Sequence, residues 1–318
     1  MKVIEKIRSQ KGKPLFSFEI LPPLKGNGIQ SIYDSIDPLI EFNPSFINVT
    51  YHREEYTYKK REKGYLEKIS IRKRPGTVAI CAAIFNKYKI DTVPHLICGG
   101  FNREETENAL IDLEFLGIDN VLALRGDPIK TESHFVPTDG GHAYAVDLVK
   151  HIDEMNKGVY TDDELRDAHP TSFCIGVAGY PEKHFEAPNL SVDLHYLKQK
   201  IDAGAEYIVT QLFFDNKKFF QFVDKCREAG ITVPIIPGIK PITNLKLINF
   251  MPKFFHVELP EAFTKELLKC KTDAEVSTVG VEWCIAQSKE LMENNVPGIH
   301  YFTMGKSTAT KKIVKTVF

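Results

Sequence analysis

The run Phe16-Ser-Phe-Glu-Ile-Leu-Pro-Pro23 sets one carboxylate, Glu19, among apolar residues. An ionised carboxylate withdrawn from water is costly unless it is paired, so Glu19 must find a partner or keep its proton. A glutamic acid raised to a pKa of about 6–7 is well suited to general acid catalysis. A Glu held in an ion pair across the floor or mouth of the fold is the structural alternative. The turn Arg125-Gly126-Asp127-Pro128 offers a cation, a backbone free of side chain and an acceptor in adjacent positions. That combination suits a phosphate or a heterocycle edge, and a tight turn closed by a local Arg–Asp pair would have the same sequence. His95 follows Pro94, Gln211 interrupts Thr210-Gln-Leu-Phe-Phe, and Tyr180-Pro-Glu-Lys-His184 gathers further polar groups. His95 taken alone reads more simply as a satisfied core histidine. Glu182, His184 and His195 are metal-competent residue types, but no H-E-x-x-H or similar spacing joins them, so no metal is expected. The basic runs at 59–63 and 72–74 read as solvated faces, and Phe213-Phe214 and Phe219-Phe220 as core.

These residues gain meaning from the elements that must carry them. Eight short β-type runs can be read, at 15–20, 46–50, 93–98, 121–124, 173–178, 207–213, 233–236 and 299–303. A weaker apolar run at 77–85 competes for the third place. Helical spacing of apolar residues fills gaps at 29–40, 104–116, 190–203 and 217–229, with Gly117, Gly204 and Gly230 closing the last three. Thr272-Asp-Ala-Glu275 has the form of a capping box opening a long helix to about Asn294. Eight strands alternating with helices predict an α/β protein, a single-domain (β/α)8 TIM barrel over residues 1–318, with polar insertions near 53–74 and 156–171. No G-x-G-x-x-G follows an early strand, which argues against a Rossmann domain. In such a barrel the chemistry lies at the C-terminal ends of the strands, where Glu19, Thr50, His95, Arg125, Tyr180, Gln211 and Tyr301 fall.

Composition narrows the class. The 318 residues are 43% hydrophobic and 26% charged, ordinary for a globular chain. Lys+Arg at 41 balance Asp+Glu at 42, so no net field exists to hold nucleic acid or an anionic membrane. Charges interrupt the N-terminal segment too early for a signal peptide, and no apolar run approaches the ~18 residues of a membrane span. The six cysteines are scattered without a Cys-x-x-Cys pair, as reduced cytosolic thiols are.

Taken in order, the strand ends resemble those of the methylenetetrahydrofolate reductase family. The matching pieces are Phe16-Ser-Phe-Glu-Ile-Leu-Pro-Pro23, Val49-Thr-Tyr51, Pro94-His-Leu96, Ala123-Leu-Arg-Gly-Asp-Pro128, Tyr144-Ala-Val-Asp-Leu148 and Ala178-Gly-Tyr-Pro-Glu182. They continue with Lys200-Ile-Asp-Ala-Gly-Ala205, Thr210-Gln-Leu-Phe-Phe-Asp215, Ile236-Pro-Gly-Ile239, Pro241 and His300-Tyr-Phe-Thr303, and span nearly the whole chain. The resemblance implies a cytoplasmic, homo-oligomeric flavoenzyme that holds FAD noncovalently and takes hydride from NADH or NADPH onto flavin N5. It then passes the hydride to 5,10-methylenetetrahydrofolate in a ping-pong cycle. It implies Glu19 as the general acid that protonates N10, Asp127 as the charge that tunes the flavin and stabilises the iminium cation, and Gln211 as a pterin partner. Flavin contacts are implied for Thr50, His95, Arg125, Gly126, Asp127, Tyr144, Ala145, Asp147, Tyr180, His184, Asp193 and Lys200.

The chain departs from the family at two further substrate positions. Met251 stands where bacterial relatives often carry a Phe that packs on the ligands, and Lys306, just beyond Tyr301, stands where some carry an Arg for the glutamate tail. No S-adenosylmethionine-binding regulatory region follows the barrel, so no such allosteric inhibition is expected. Two other readings stay open from sequence. One is a different flavin barrel, such as a proline-oxidising one. The other is a noncatalytic barrel kept as a binding module. The folate-facing set Glu19, Asp127 and Gln211 disfavours both.

Overall fold

The structure is a computed structural model, which describes residues 1–10, 12–71, 74–129 and 132–318. Arg72 and Lys73 of the basic run at 72–74 lie outside the described residues. The chain runs α1 (Val3–Ser9), β1 (Leu15–Ile20), α2 (Gln30–Ile40), β2 (Phe46–Val49), β3 (Glu55–Lys60), β4 (Leu66–Ile71), α3 (Thr77–Tyr88), β5 (Thr92–Ile97), α4 (Arg103–Phe115), β6 (Asn120–Leu124) and α5 (Ala145–Met155). It continues with β7 (Cys174–Gly179), α6 (Leu190–Asp202), β8 (Tyr207–Thr210), α7 (Asn216–Glu228), β9 (Ile235–Ile236), β10 (Gly238–Ile239), α8 (Leu245–Phe255), α9 (Glu261–Leu267), α10 (Asp273–Glu293), β11 (Gly298–Phe302) and α11 (Thr308–Val317).

Nine strands form one parallel sheet in the order β10-β11-β1-β2-β5-β6-β7-β8-β9. The two edge strands, β9 and β10, are halves of a single run broken by Pro237, so the sheet curls until its ends meet at that residue. Proline has no N–H to continue a ladder. Its carbonyl still accepts a hydrogen bond from His300 N at 2.9 Å, which ties the break to β11. The result is the expected (β/α)8 barrel, with β9 and β10 together as its seventh stave.

Period-2 alternation divides each strand between two cores. Phe18, Ile20, Ile47, Val49, Val121, Ile175, Val177, Ile208 and Ile299 face the helical layer. Phe46, Val93, Leu122, Cys174, Tyr207, Val209 and Ile236 fill the barrel, with Val3, Ile4 and Ile7 of α1 packed against them. Continuing the same alternation along the strands places Ser17, Glu19, Asn48, His95 and His300 on the interior face, toward the C-terminal mouth. A third cluster, with Leu212, Phe214, Ile242, Met251 and Phe263, lies among the segments that follow β8 and β10.

Two local readings are corrected by the structure. The run 77–85 belongs to α3, whose buried Thr77, Ile80, Cys81 and Ile84 recur at helical spacing. The sixth strand stops at Thr210, short of residue 213, because Phe213 and Phe214 turn away to pack separately. Phe213 stacks on Phe219 at 5.2 Å, and Phe214 O accepts from Trp283 Nε1 at 3.0 Å. The insertion at 53–74 carries an antiparallel hairpin, β3 with β4, at the mouth end. The insertion at 156–171 follows α5 at the opposite end. It is irregular and tied to α4, where Thr161 Oγ1 donates to Glu107 Oε1 at 2.7 Å. The capping box at Thr272 is present, with Glu275 N donating to Thr272 Oγ1 at 3.3 Å and Thr272 N to Glu275 Oε2 at 3.2 Å.

Helix α10 crosses the segment after β10 at backbone contact, because Gly280 has no side chain there. A Cβ at Gly280 would fall 1.8 Å from Ile242 O. Gly280→Ala should therefore cost at least the ~1–3 kcal/mol of ordinary overpacking, since a backbone carbonyl has to move. A fall in the urea midpoint with unchanged slope checks this, and an unchanged midpoint would show that the two segments separate freely.

Candidate active site

Glu19 is one residue from the end of β1, level with Asn48 on β2 and Phe302 on β11. The rim around it is stitched by threonines. Thr303 Oγ1 donates to Glu19 O at 2.6 Å, and Thr50 N and Oγ1 both reach Ile20 O, at 3.2 and 3.3 Å. The Glu19 side chain is 13% exposed, and its Oε2 lies 3.5 Å from His95 Nε2. Burial raises its pKa to about 8, opposed by the charge of Lys240. His95 is held neutral, its pKa pushed down to about 3 by burial and then by His52. It therefore offers Glu19 no counter-charge. His95 Nε2 also meets Asn48 Nδ2 at 3.2 Å, and Ser17 Oγ meets His300 Nδ1 at 3.0 Å. Asn48 Oδ1 and His300 Nε2 are buried without a hydrogen-bond partner. Glu19 thus stands above a polar, uncharged lining and holds its proton at neutral pH.

On the other side of the ring, the ends of β6 and β7 gather a second group. Arg125 Nη1 pairs with Glu186 Oε2 at 2.5 Å, and its guanidinium lies 5.1 Å from the Phe135 ring centroid. Gly126 turns the chain at φ +87°, a conformation glycine adopts without strain, and a Cβ there would press on Ile97 at 3.1 Å. Tyr180 and His184 rings meet edge-on at 4.8 Å, and His184 N donates to Asp193 Oδ2 at 2.8 Å. Lys200 Nζ donates to Ala178 O at 2.7 Å. Burial lowers Lys200 to about 8, with Asp193 opposing, and lowers His184 to about 4, with Arg125 adding to the effect. Asp127 is exposed at this rim, its carboxyl raised by the surrounding protein and lowered by Arg125. Tyr144 is 62% exposed before Ala145 opens α5, and Asp147 Oδ2 accepts from Tyr144 N at 3.0 Å. Gln211 N donates to Gly179 O at 2.8 Å, and its Oε1 accepts from Leu212 N at 2.8 Å, which orients the carboxamide.

Two sequence-derived positions, Met251 and Tyr301, are buried in packing contacts, and a third, Lys306, follows β11 at the mouth end. Met251 is fully buried among Leu212, Phe214 and Ile242. Tyr301 faces the helices, with its hydroxyl 2.9 Å from Ser288 Oγ on α10 and its ring edge-on to Phe16. Lys306 is exposed beyond β11. Sequence reasoning missed Lys240, which directly follows β10, is 6% exposed and donates to Phe302 O at 3.2 Å. It also passed over Asn48, although a polar residue inside the fully buried run Phe46–Val49 was a readable signal. Among the described residues no three His, Cys, Asp or Glu side chains are grouped to hold a metal. Nor is any described helix long and apolar enough to cross a membrane.

A family model described as methylenetetrahydrofolate reductase matches residues 3–317. An Arabidopsis thaliana protein named methylenetetrahydrofolate reductase (NADH) 1 is 35% identical over 316 residues, covering 96% of this chain and 48% of its own length. A Pectobacterium carotovorum 5,10-methylenetetrahydrofolate reductase is 30% identical over 310 residues, covering 96% of this chain and 91% of its own. The chain thus spans about half the length of the plant and yeast relatives it matches and nearly all of the bacterial ones. Among solved structures, a Clostridium thermocellum protein described as binding two copies of 5-methyl-5,6,7,8-tetrahydrofolic acid has the same fold. Its TM-score is 0.59 at 14% identity, over 98% of this chain and 96% of that one.

The raised pKa of Glu19 has a thermodynamic consequence. The folded protein binds a proton there up to pH about 8, whereas the unfolded chain releases it near the ordinary glutamate value of 4.5. The contribution is fully favourable below the unfolded value and is lost as pH rises through the folded one. Glu19→Gln, which cannot ionise, should gain stability relative to the parent as pH rises from about 5 to 8, by an amount on the order of a few kcal/mol. Parallel melting curves at several pH values would test this, and a constant difference would show that Glu19 is ionised in the fold.

Proposed function

The chain belongs to the methylenetetrahydrofolate reductase family, and from that premise we propose that it reduces 5,10-methylenetetrahydrofolate to 5-methyltetrahydrofolate, with NADH or NADPH as electron source and noncovalent FAD as carrier. The observation that carries this reading is a carboxyl, Glu19, buried beside His95 at the mouth of a barrel whose opposite rim holds Arg125 and Lys200. A soluble, cytoplasmic, homo-oligomeric enzyme of one-carbon and methionine metabolism is the setting that this reading implies.

The rim fits a dinucleotide. Lys200 is buried enough to depress its pKa to about 8, with Asp193 the carboxylate that opposes the shift. Phosphate oxygens would relieve that cation, and Arg125 and His184 stand in the same group. Gly126, Asp127, Tyr144, Ala145, Asp147, Tyr180, Asp193, Thr50 and His95 are the remaining residues assigned to hold FAD. When bound, FAD supplies the two-electron hydride chemistry that no side chain can perform.

The protein's own part is proton and charge placement. Glu19 gives its proton to N10 as the N10–methylene bond breaks, which opens the five-membered ring and leaves a 5-iminium cation. A proton-holding acid is required for that step, and the barrel's desolvation keeps Glu19 in that form at neutral pH. Asp127, exposed at the rim, faces the developing cation with a carboxylate. Gln211 hydrogen-bonds the pterin and fixes the exocyclic carbon to receive hydride. The added proton and hydride together account for the methyl product.

An anaerobic visible titration separates the half-reactions. NAD(P)H should bleach the FAD-loaded protein and methylenetetrahydrofolate should restore the colour. Glu19→Gln should retain bleaching and lose folate-dependent recovery by roughly 10²-fold or more, the usual range for a general acid. Recovery at the parental rate would remove Glu19 from the acid role. Bleaching without recovery on folate would leave an oxidoreductase with another substrate, and proline would be tried next. Lys200→Met should weaken FAD retention about tenfold or more, as loss of a charged hydrogen bond does. Fluorescence titration of apoprotein with FAD reads that directly, and equal affinity would place the phosphates elsewhere.

A further inference from the structure

The strand register sets three residues side by side. Ile239 on β10 is level with Tyr301 on β11, and Glu19 on β1 is level with Phe302. Lys240 directly follows Ile239, so it shares a layer with Phe302 and Glu19. Its side chain is buried, and its ammonium donates to Phe302 O at 3.2 Å, on the strand between it and Glu19. A lysine after Ile236-Pro-Gly-Ile239 would ordinarily extend into water. Here α10 closes over the segment at Gly280, and Cys284 of the same helix faces the ammonium.

We propose that Lys240 is a positioning residue for folate reduction, whose ammonium, anchored on Phe302 O, balances the charge left on Glu19 when its proton goes to the substrate. The proposal rests on Glu19 being the acid.

The charged surroundings support it. The groups facing Lys240 are Glu19 from β1, Cys284 from α10 and Lys306 from the segment after β11. Burial pushes the Cys284 thiol up to about 12, so it is neutral, and Lys306 is a like charge. Glu19 is therefore the one carboxylate among these groups. On its other side Glu19 meets neutral His95, so Lys240 is the cation that steadies a Glu19 anion. In the step itself the Glu19 O–H bond breaks and an N10–H bond forms. The carboxylate left behind faces Lys240 and later regains a proton from solvent at the mouth.

Removing the cation raises the Glu19 pKa, and the folate half-reaction needs the protonated form, which is lost above that pKa. Lys240→Met should therefore move the alkaline limb of folate-dependent flavin reoxidation upward by about one pH unit, and slow its plateau roughly tenfold because a weaker acid gives up its proton less readily. Flavin reduction by NAD(P)H should stay within about twofold, and Lys240→Arg should restore most of the loss because it keeps the charge. An unmoved limb, or equal slowing of both half-reactions, would overturn the proposal. A second test needs neither cofactor nor turnover. In the apoprotein, over the range from about pH 5 to 7 where Lys240 stays charged in both the folded and unfolded chain, Lys240→Met should alter the pH dependence of unfolding in the parent but not in a Glu19→Gln background, and Lys240→Gln replaces it if the Met variant does not fold. The same change in both backgrounds would overturn the coupling. Retained folate reduction in Glu19→Gln alone would instead sink the acid assignment while leaving the coupling measurable.

Discussion

Desolvation of one carboxyl group organises this site. Glu19 sits on the interior face of a barrel whose lower filling is Phe46, Val93, Leu122, Tyr207 and Ile236. Water is excluded from below, and His95, 3.5 Å away, is itself too buried to carry a charge. The carboxyl therefore keeps a proton far above the usual range for a glutamate. The neutral lining of Asn48, Ser17 and His300 leaves burial as the larger influence on that carboxyl, with the Lys240 charge opposing it.

Barrel closure decides how near a cation comes. The seventh stave breaks at Pro237, and β10 resumes against β11 with two residues before Lys240 turns inward. Gly280 allows α10 to lie on the following backbone, which closes the space around the ammonium. The other cations, Arg125 and Lys200, belong to staves on the far side of the ring. The mouth thus carries Glu19 and Lys240 on β10, β11 and β1, and Arg125 and Lys200 across the ring beside β6 and β7. A parallel barrel produces this separation naturally, because every strand delivers its C-terminal end to the same rim.

Met251, where bacterial relatives often carry a Phe, and Tyr301, at the end of the eighth strand, are both buried in packing contacts. Met251 is packed inside an apolar cluster with Phe214 and Ile242, where a thioether fills space. Tyr301 is turned to α10 by alternation along β11, since its neighbours His300 and Phe302 take the other face. Both positions serve packing around the segment that carries Lys240.

The sequence alone was enough for the eight staves, most of the helices and the barrel they imply, because apolar periodicity and capping are local signals. Phe16-Ser-Phe-Glu-Ile singled out Glu19 as a carboxylate among apolar residues, and Arg125-Gly-Asp127-Pro128 marked a polar turn at a strand end, from residue types in short windows. Other features depended on tertiary structure. The run 77–85 is apolar enough for strand or helix, and its burial at helical spacing against β5 and β2 settled the choice. The direction of Tyr301 and the depth of Met251 follow from strand phase and helix packing, which residue identity does not encode. No local signal marked Lys240, beside a Pro-Gly turn. It comes into one layer with Glu19 only because β11 joins β10 and β1, more than two hundred residues apart in the chain. A charge's environment is a property of everything packed around it, and that exists only once the barrel has closed.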